Sequence, residues 1–163
     1  MLGQHYSESA PGWDGCFKAG GQQSIGRSRG GLTTKIHMVT ASDRAVVGFS
    51  LSGGQAHDAP EGIALLSEIS RAEEQKFLLM DRAYEGENVR EAAMEKGFVP
   101  VVPPKKNRKD PWNYDEERYK RRNEIERYFL RLKRFRRIFT RYDKLDIIFC
   151  GFIYFVMICD AIL

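Results

Sequence analysis

Cysteine is scarce: Cys16, Cys150 and Cys159 are the three in 163 residues, and no two of them form a CxxC pair. Two lie in an apolar stretch, where cysteine behaves as a small hydrophobe. No zinc site or disulfide framework follows, and reduced thiols fit a cytoplasmic setting. No basic segment leading into an apolar core opens the sequence, so nothing reads as a secretion signal. Long hydrophobic runs are missing too. The most apolar segment, IIFCGFIYFVMIC from Ile147 to Cys159, stops at thirteen residues, whereas a bilayer-spanning helix needs about 20. It is predicted to be a buried helix, and no membrane partner is expected. There is no low-complexity tract. Apolar residues at 42% and charged residues at 29% are those of a folded globular chain, of a length for one domain.

Charge is present but unevenly placed. Residues 105 to 141 hold fifteen Lys or Arg against six Asp or Glu, a net +9, while the rest of the chain carries −5 and the whole +4. Segregation of this kind suits a polyanionic partner docking on one region better than it suits solubility. A solvated charged helix is the plainer alternative.

Residues 1 to 31 are rich in Gly, Ser and Gln and read as an irregular lead. TTKIHMV and AVVGFSL around ASDR then predict an antiparallel hairpin, with Asp43 marking the turn. Asp58 and Glu61 have capping-box spacing, and Ile63, Leu66 and Ile69 continue a helix over about 59 to 70. Phe77 to Met80 is a continuous apolar run, as in a parallel strand covered on both faces. A helix over about 87 to 96 should stop at Gly97. Phe98 to Val102 reads as an edge strand because of Pro100. After the connector PPKKNRK, a long helix is expected, capped by Asn113 and Glu116. The fold class is α/β.

Two places could carry chemistry. Asp81 stands just past the carboxyl end of a predicted strand, where open α/β sheets place reactive groups. In YKRRNEIERYFLRLK, the residues Tyr119, Arg122, Glu126 and Lys133 fall at offsets of three, four and seven, which share one helix face. Asp81 and Glu126 offer hard oxygen ligands suited to Mg²⁺ or Mn²⁺. With two such ions, one activates the attacking oxygen and the other stabilises the leaving oxygen in a displacement at phosphorus. Arg122 and Lys133 would grip phosphates nearby, and Tyr119 could stack on a base or bond a phosphate. An exposed helix face carrying ordinary charge pairs would look the same in sequence. GRSRGG, from Gly26 to Gly31, has the glycine spacing of a nucleotide-binding loop, but Leu32 stands where such a loop requires Lys.

The spacing of Tyr119, Arg122, Glu126 and Lys133 resembles the signature around the last acid of DDE transposases from bacterial insertion sequences. SIGRSRGGLTTKIH, GGQAHDAP, LLMDRAYEG, VVPPKKNR and RRIFTRYDKLD resemble other stretches of that family, in order, over roughly residues 22 to 163. The resemblance implies a ribonuclease H-like mixed sheet flanked by helices, occupying residues 32 to 163. It also implies cleavage and strand transfer of DNA at the terminal inverted repeats, with Mg²⁺ or Mn²⁺, in the cytoplasm on the nucleoid. Asp81 matches the family's second catalytic acid and Glu126 its third, with Tyr119, Arg122 and Lys133 the accompanying positions. His57 and Asp58 match a recurring stretch near the site, although Asp58 is equally explained as a helix cap.

The family's first Asp lies on a first, central strand in a DST-like motif. MLGQHYSESAPGWDG has no such motif, and Asp14 sits too close to the Gly-rich lead to replace it. The chain is therefore expected to be the downstream part of a split or truncated transposase, joined to an upstream frame or acting as a homo-oligomer. A catalytically inactive DNA-binding fragment is the alternative.

Overall fold

The structure, a computed structural model, describes residues 23–162. The predicted lead therefore lies mostly outside the described residues, as do Cys16 and Asp14. Three strands open the described chain: β1 (Gly26–Ser28), β2 (Gly31–Thr40) and β3 (Val46–Gly53) form an antiparallel sheet in that order. β1, which was read as irregular, pairs Arg27 with Leu32 across a tight turn. The β2–β3 hairpin forms where alternation predicted it. Its turn is closed by the Ser42 hydroxyl, which accepts from the Arg44 and Ala45 amides, rather than by Asp43.

The hairpin's register gives each face a distinct task. Ile36 opposes Leu51 and Met38 opposes Phe49, and this apolar face packs on the C-terminal helices. The other face carries Lys35, His37, Ser50 and Ser52. It is covered by α1 (Asp58–Glu68), where a Cβ added at Gly48 would lie 3.6 Å from Leu65 Cδ1. Lys35 ties down the start of α1, donating to the Ala56 carbonyl and pairing with Asp58, both at 2.8 Å. Asp58 is thus the first residue of the helix rather than its cap; His57 holds the cap position and makes no side-chain cap bond. The lysine draws the carboxylate sideways, away from the helix amides it would otherwise accept from.

β4 (Lys76–Leu79) and β5 (Phe98–Val101) form a separate two-stranded parallel sheet, with α2 (Glu87–Glu95) as the crossover. Parallel pairing and the edge position of Pro100 agree with the sequence reading. Covering on both faces does not: Phe77 is 39% exposed, and its ring is met by the Arg118 guanidinium at 3.7 Å instead of by a second apolar layer. α2 ends as predicted at Gly97, whose φ of +80° is a conformation that disfavours a side chain. Beneath these elements Leu66, Met80, Val89, Ala93 and Val102 make a core distinct from the one under the hairpin.

The long helix is broken. α3 (Glu116–Lys120) and α4 (Asn123–Arg134) are separated at Arg121 and Arg122, where Arg122 and Glu124 bond back by three residues, to Tyr119 and Arg121. Asp115, not Asn113, caps α3, accepting from the Arg118 amide at 2.9 Å. Its side chain also receives the Arg118 guanidinium, which an asparagine at 113 could not have matched. After the short α5 (Arg136–Phe139), the apolar segment forms α6 (Asp146–Ile162). Only one side of α6 is buried, through Phe149, Cys150, Ile153 and Val156. Ile147, Phe155 and Ile158 are more than half exposed. No helix among the described residues is long and apolar enough to cross a membrane. Cys159 is a free thiol among the described residues.

Candidate active site

Parallel pairing sets the location. Leu79 opposes Val101 and the Met80 amide donates to the Val101 carbonyl, so Asp81 leaves at the carboxyl end of the two-stranded sheet. There Asp81 caps the single 3₁₀ turn Arg82–Tyr84, accepting weakly from the Ala83 amide at 3.4 Å. One of its oxygens remains for a partner across the site.

That partner is Arg122. Its Nη1 donates to Asp81 at 3.2 Å and its Nη2 to Glu126 at 2.5 Å. The helix break explains the reach, because it places Arg122 at the start of α4, one turn before Glu126. Two acids 45 positions apart in sequence therefore converge on one guanidinium, the planar fork that arginine and not lysine supplies. The Asp81 and Glu126 side chains are 55% and 49% exposed, so the pair is open to solvent and ligands.

Tyr119 stands beside them on α3. Its ring packs edge-on against Tyr114 at 5.6 Å and lies 5.7 Å from the Arg122 guanidinium. Burial pushes its phenol above the ordinary value; Arg122 works against that shift and Asp81 adds to it. Lys133 occupies the exposed face of α4, two turns beyond Glu126. Tyr119, Arg122, Asp81 and Glu126 are thus brought together, with Lys133 farther along the helix.

Residues that the sequence did not single out support the turn after Asp81. The Tyr84 hydroxyl meets His37 Nδ1 at 2.7 Å, and His37 Nε2 meets the Ser52 hydroxyl at 2.8 Å. His37 is buried on β2, so this bond links the antiparallel sheet to the Asp81 turn. The Tyr84 ring fills the space left by Gly62 on α1, where a Cβ would come within 2.7 Å of it. Burial raises the Tyr84 phenol well above its ordinary value, and Asp58, Asp81 and Glu61 raise it further. Glu85 is buried and pairs with Lys105 and Arg108 at 3.2 Å each. No spacing rule links 37 to 84 or 85 to 108; only the fold does.

Asp81 and Glu126 fit a hard divalent cation in donor type and in their convergence. Among the described residues, no cluster of three or more His, Cys, Asp or Glu is arranged to hold a metal ion.

A carboxylate pair at a sheet's carboxyl end, facing a signature helix, is what the DDE transposase resemblance leads one to look for. Residues 9–159 match the family described as "Transposase DDE domain". The chain is a member of the DDE-type insertion-sequence transposases. It is 30% identical over 125 residues to a protein named "Putative transposase for insertion sequence element IS6501" from Brucella ovis, which covers 76% of this chain and 93% of the relative. No solved structure matches the chain.

Proposed function

We propose that this chain provides two of the three carboxylates of a ribonuclease H-like transposase site. Asp81 and Glu126 would hold Mg²⁺ or Mn²⁺ for cleavage and strand transfer at the terminal inverted repeats of an insertion sequence. The observation that carries this reading is the shared guanidinium of Arg122, which brings the two acids to one point. When bound, the metal would activate the attacking oxygen and stabilise the leaving one. Arg122 bridges both carboxylates and offsets one of their two negative charges, and Tyr119 and Lys133 would engage the DNA strand beside them. The catalytic unit is taken as residues 32 to 163, acting on the nucleoid in the cytoplasm.

The sequence supports the split-enzyme reading, because MLGQHYSESAPGWDG holds no DST-like motif to supply the first Asp. The test compares this chain with a fusion that restores an upstream Asp strand, using Mg²⁺ and terminal-repeat DNA. The fusion should cleave, its Asp81→Asn and Glu126→Gln variants should not, and the chain alone should be inert. Cleavage by the chain alone would overturn the split reading. Full activity of Asp81→Asn would overturn the site. DNA binding without cleavage by any fusion would favour the inactive DNA-binding fragment.

A further inference from the structure

The basic connector after β5 is a built surface rather than a loose tail. Pro103 leaves the sheet at the same end as Asp81, because β4 and β5 run parallel with Leu79 opposite Val101. Glu85 then holds the loop from beneath. It is 5% exposed and accepts from the Lys105 amide at 3.4 Å and from Arg108 at 3.2 Å, while pairing with the Lys105 ammonium. A buried carboxylate is costly unless it is paired this fully. The far end of the loop is pinned by Trp112. Its ring is met by the guanidinium groups of Arg90, at 3.9 Å, and of Arg108, at 4.6 Å. Its Nε1 donates to the Val102 carbonyl at 2.9 Å.

Between these two anchors Lys106 and Lys109 are exposed, and among the described residues neither has a carboxylate within ion-pair distance. Lys105 and Arg108 are spent on Glu85, whereas these two ammonium groups stay available at the end of the sheet where Asp81 stands. Lysine recognises phosphate as a point charge, without reading sequence.

We propose that the loop from Pro103 to Trp112, latched by Glu85, is a phosphate-binding platform for duplex DNA, with Lys106 and Lys109 as its contacts. This rests on the reading of Asp81 and Glu126 as a DNA-processing site and names the surface that holds the backbone beside it. Glu85 is a positioning residue here, since it touches the loop and not the DNA.

The test is fluorescence anisotropy of the full chain with a labelled duplex oligonucleotide of arbitrary sequence over a salt series. The Lys106→Ala, Lys109→Ala double variant should bind more weakly and lose about 2 from the slope of log affinity against log salt, about 1 per lysine. Glu85→Gln removes a negative charge, so a pure charge effect would tighten binding; the latch requires weaker binding instead. Both lysines are exposed, so the double variant should fold normally even if the Glu85 variant does not. An unchanged slope in the double variant, or tighter binding by a folded Glu85→Gln, would overturn the platform. No DNA binding by the wild-type chain at low salt would instead overturn the DNA-processing reading itself.

Discussion

Arg122 and Asp81 are joined across 41 positions by a 3.2 Å contact between Nη1 and Oδ2. The same guanidinium holds Glu126 within its own helix turn. The contact is local chemistry on one side and tertiary structure on the other, so its two halves can be tested separately.

Arg122→Lys keeps the charge but replaces a fork with a single ammonium, which cannot span both acids in the same way. Because both carboxylates are about half exposed, the stability loss should stay within about 1 kcal/mol. Urea denaturation measures it. A loss above about 2 kcal/mol would mark Arg122 as a structural strut rather than a counter-charge for the acids.

Arg141 should behave in the opposite way. Its five donors are all used: on the carbonyls of Ser24, Asp143 and Lys144, on the Thr34 hydroxyl, and on the buried Asp146 carboxylate at 2.6 Å. Asp146 also accepts from the Ser24 amide. Arg141→Ala would leave that carboxylate without its cation and should cost about 3–5 kcal/mol in guanidinium unfolding. A loss below about 1 kcal/mol would show that water replaces the arginine readily.

Glu85 gives the fold an acid-sensitive point. Burial alone would push its carboxyl up, but the hydrogen bonds and charges of Lys105 and Arg108 outweigh that and hold it below the ordinary value. A lowered folded-state value means the contribution is present above the unfolded glutamate range. It is lost as pH falls below the unfolded glutamate range and through the lowered folded value. Wild type should therefore lose stability across that range more steeply than Glu85→Gln. Parallel pH profiles of the two melting temperatures would contradict this.

Gly62→Ala tests the seat of Tyr84. Alanine favours a helix by about 1 kcal/mol over glycine, yet its Cβ would fall 2.7 Å from Tyr84 Cδ1 and 2.9 Å from Cε1. These atoms lie along the side of a ring whose hydroxyl is held by His37, so the ring cannot swing freely aside. The variant should be less stable than wild type in thermal melts. A stabilised variant would show that the ring shifts without loss.

Legibility in sequence followed the range of the interactions. The hairpin, α1, α2 with its Gly97 stop, and the parallel β4–β5 pair were set by alternation, periodicity and turn chemistry within a few residues of each other. The caps failed where a distant or neighbouring charge competed: Lys35 took Asp58, and Arg118 favoured Asp115 over Asn113. The helix break at Arg121 and Arg122 was invisible because both residues are good helix formers. α6 was read as a buried helix from its apolar composition, although among the described residues Ile147, Phe155 and Ile158 stay more than half exposed. Asp81 and Glu126 were legible as individual residues, but that one arginine joins them was not. Nor were the His37 and Glu85 contacts, which depend on where separate elements pack.

The His37–Tyr84 bond bears on how the molecule comes apart. The two sheets are linked by side chains and by α1, with no ladder running between them among the described residues. They can therefore behave as two plates riveted together rather than one continuous plate. In hydrogen exchange, the amides of β4 and β5 need not wait for those of β2 and β3 to open. Asp81 belongs to the smaller plate, so its alignment depends on how firmly the rivets hold.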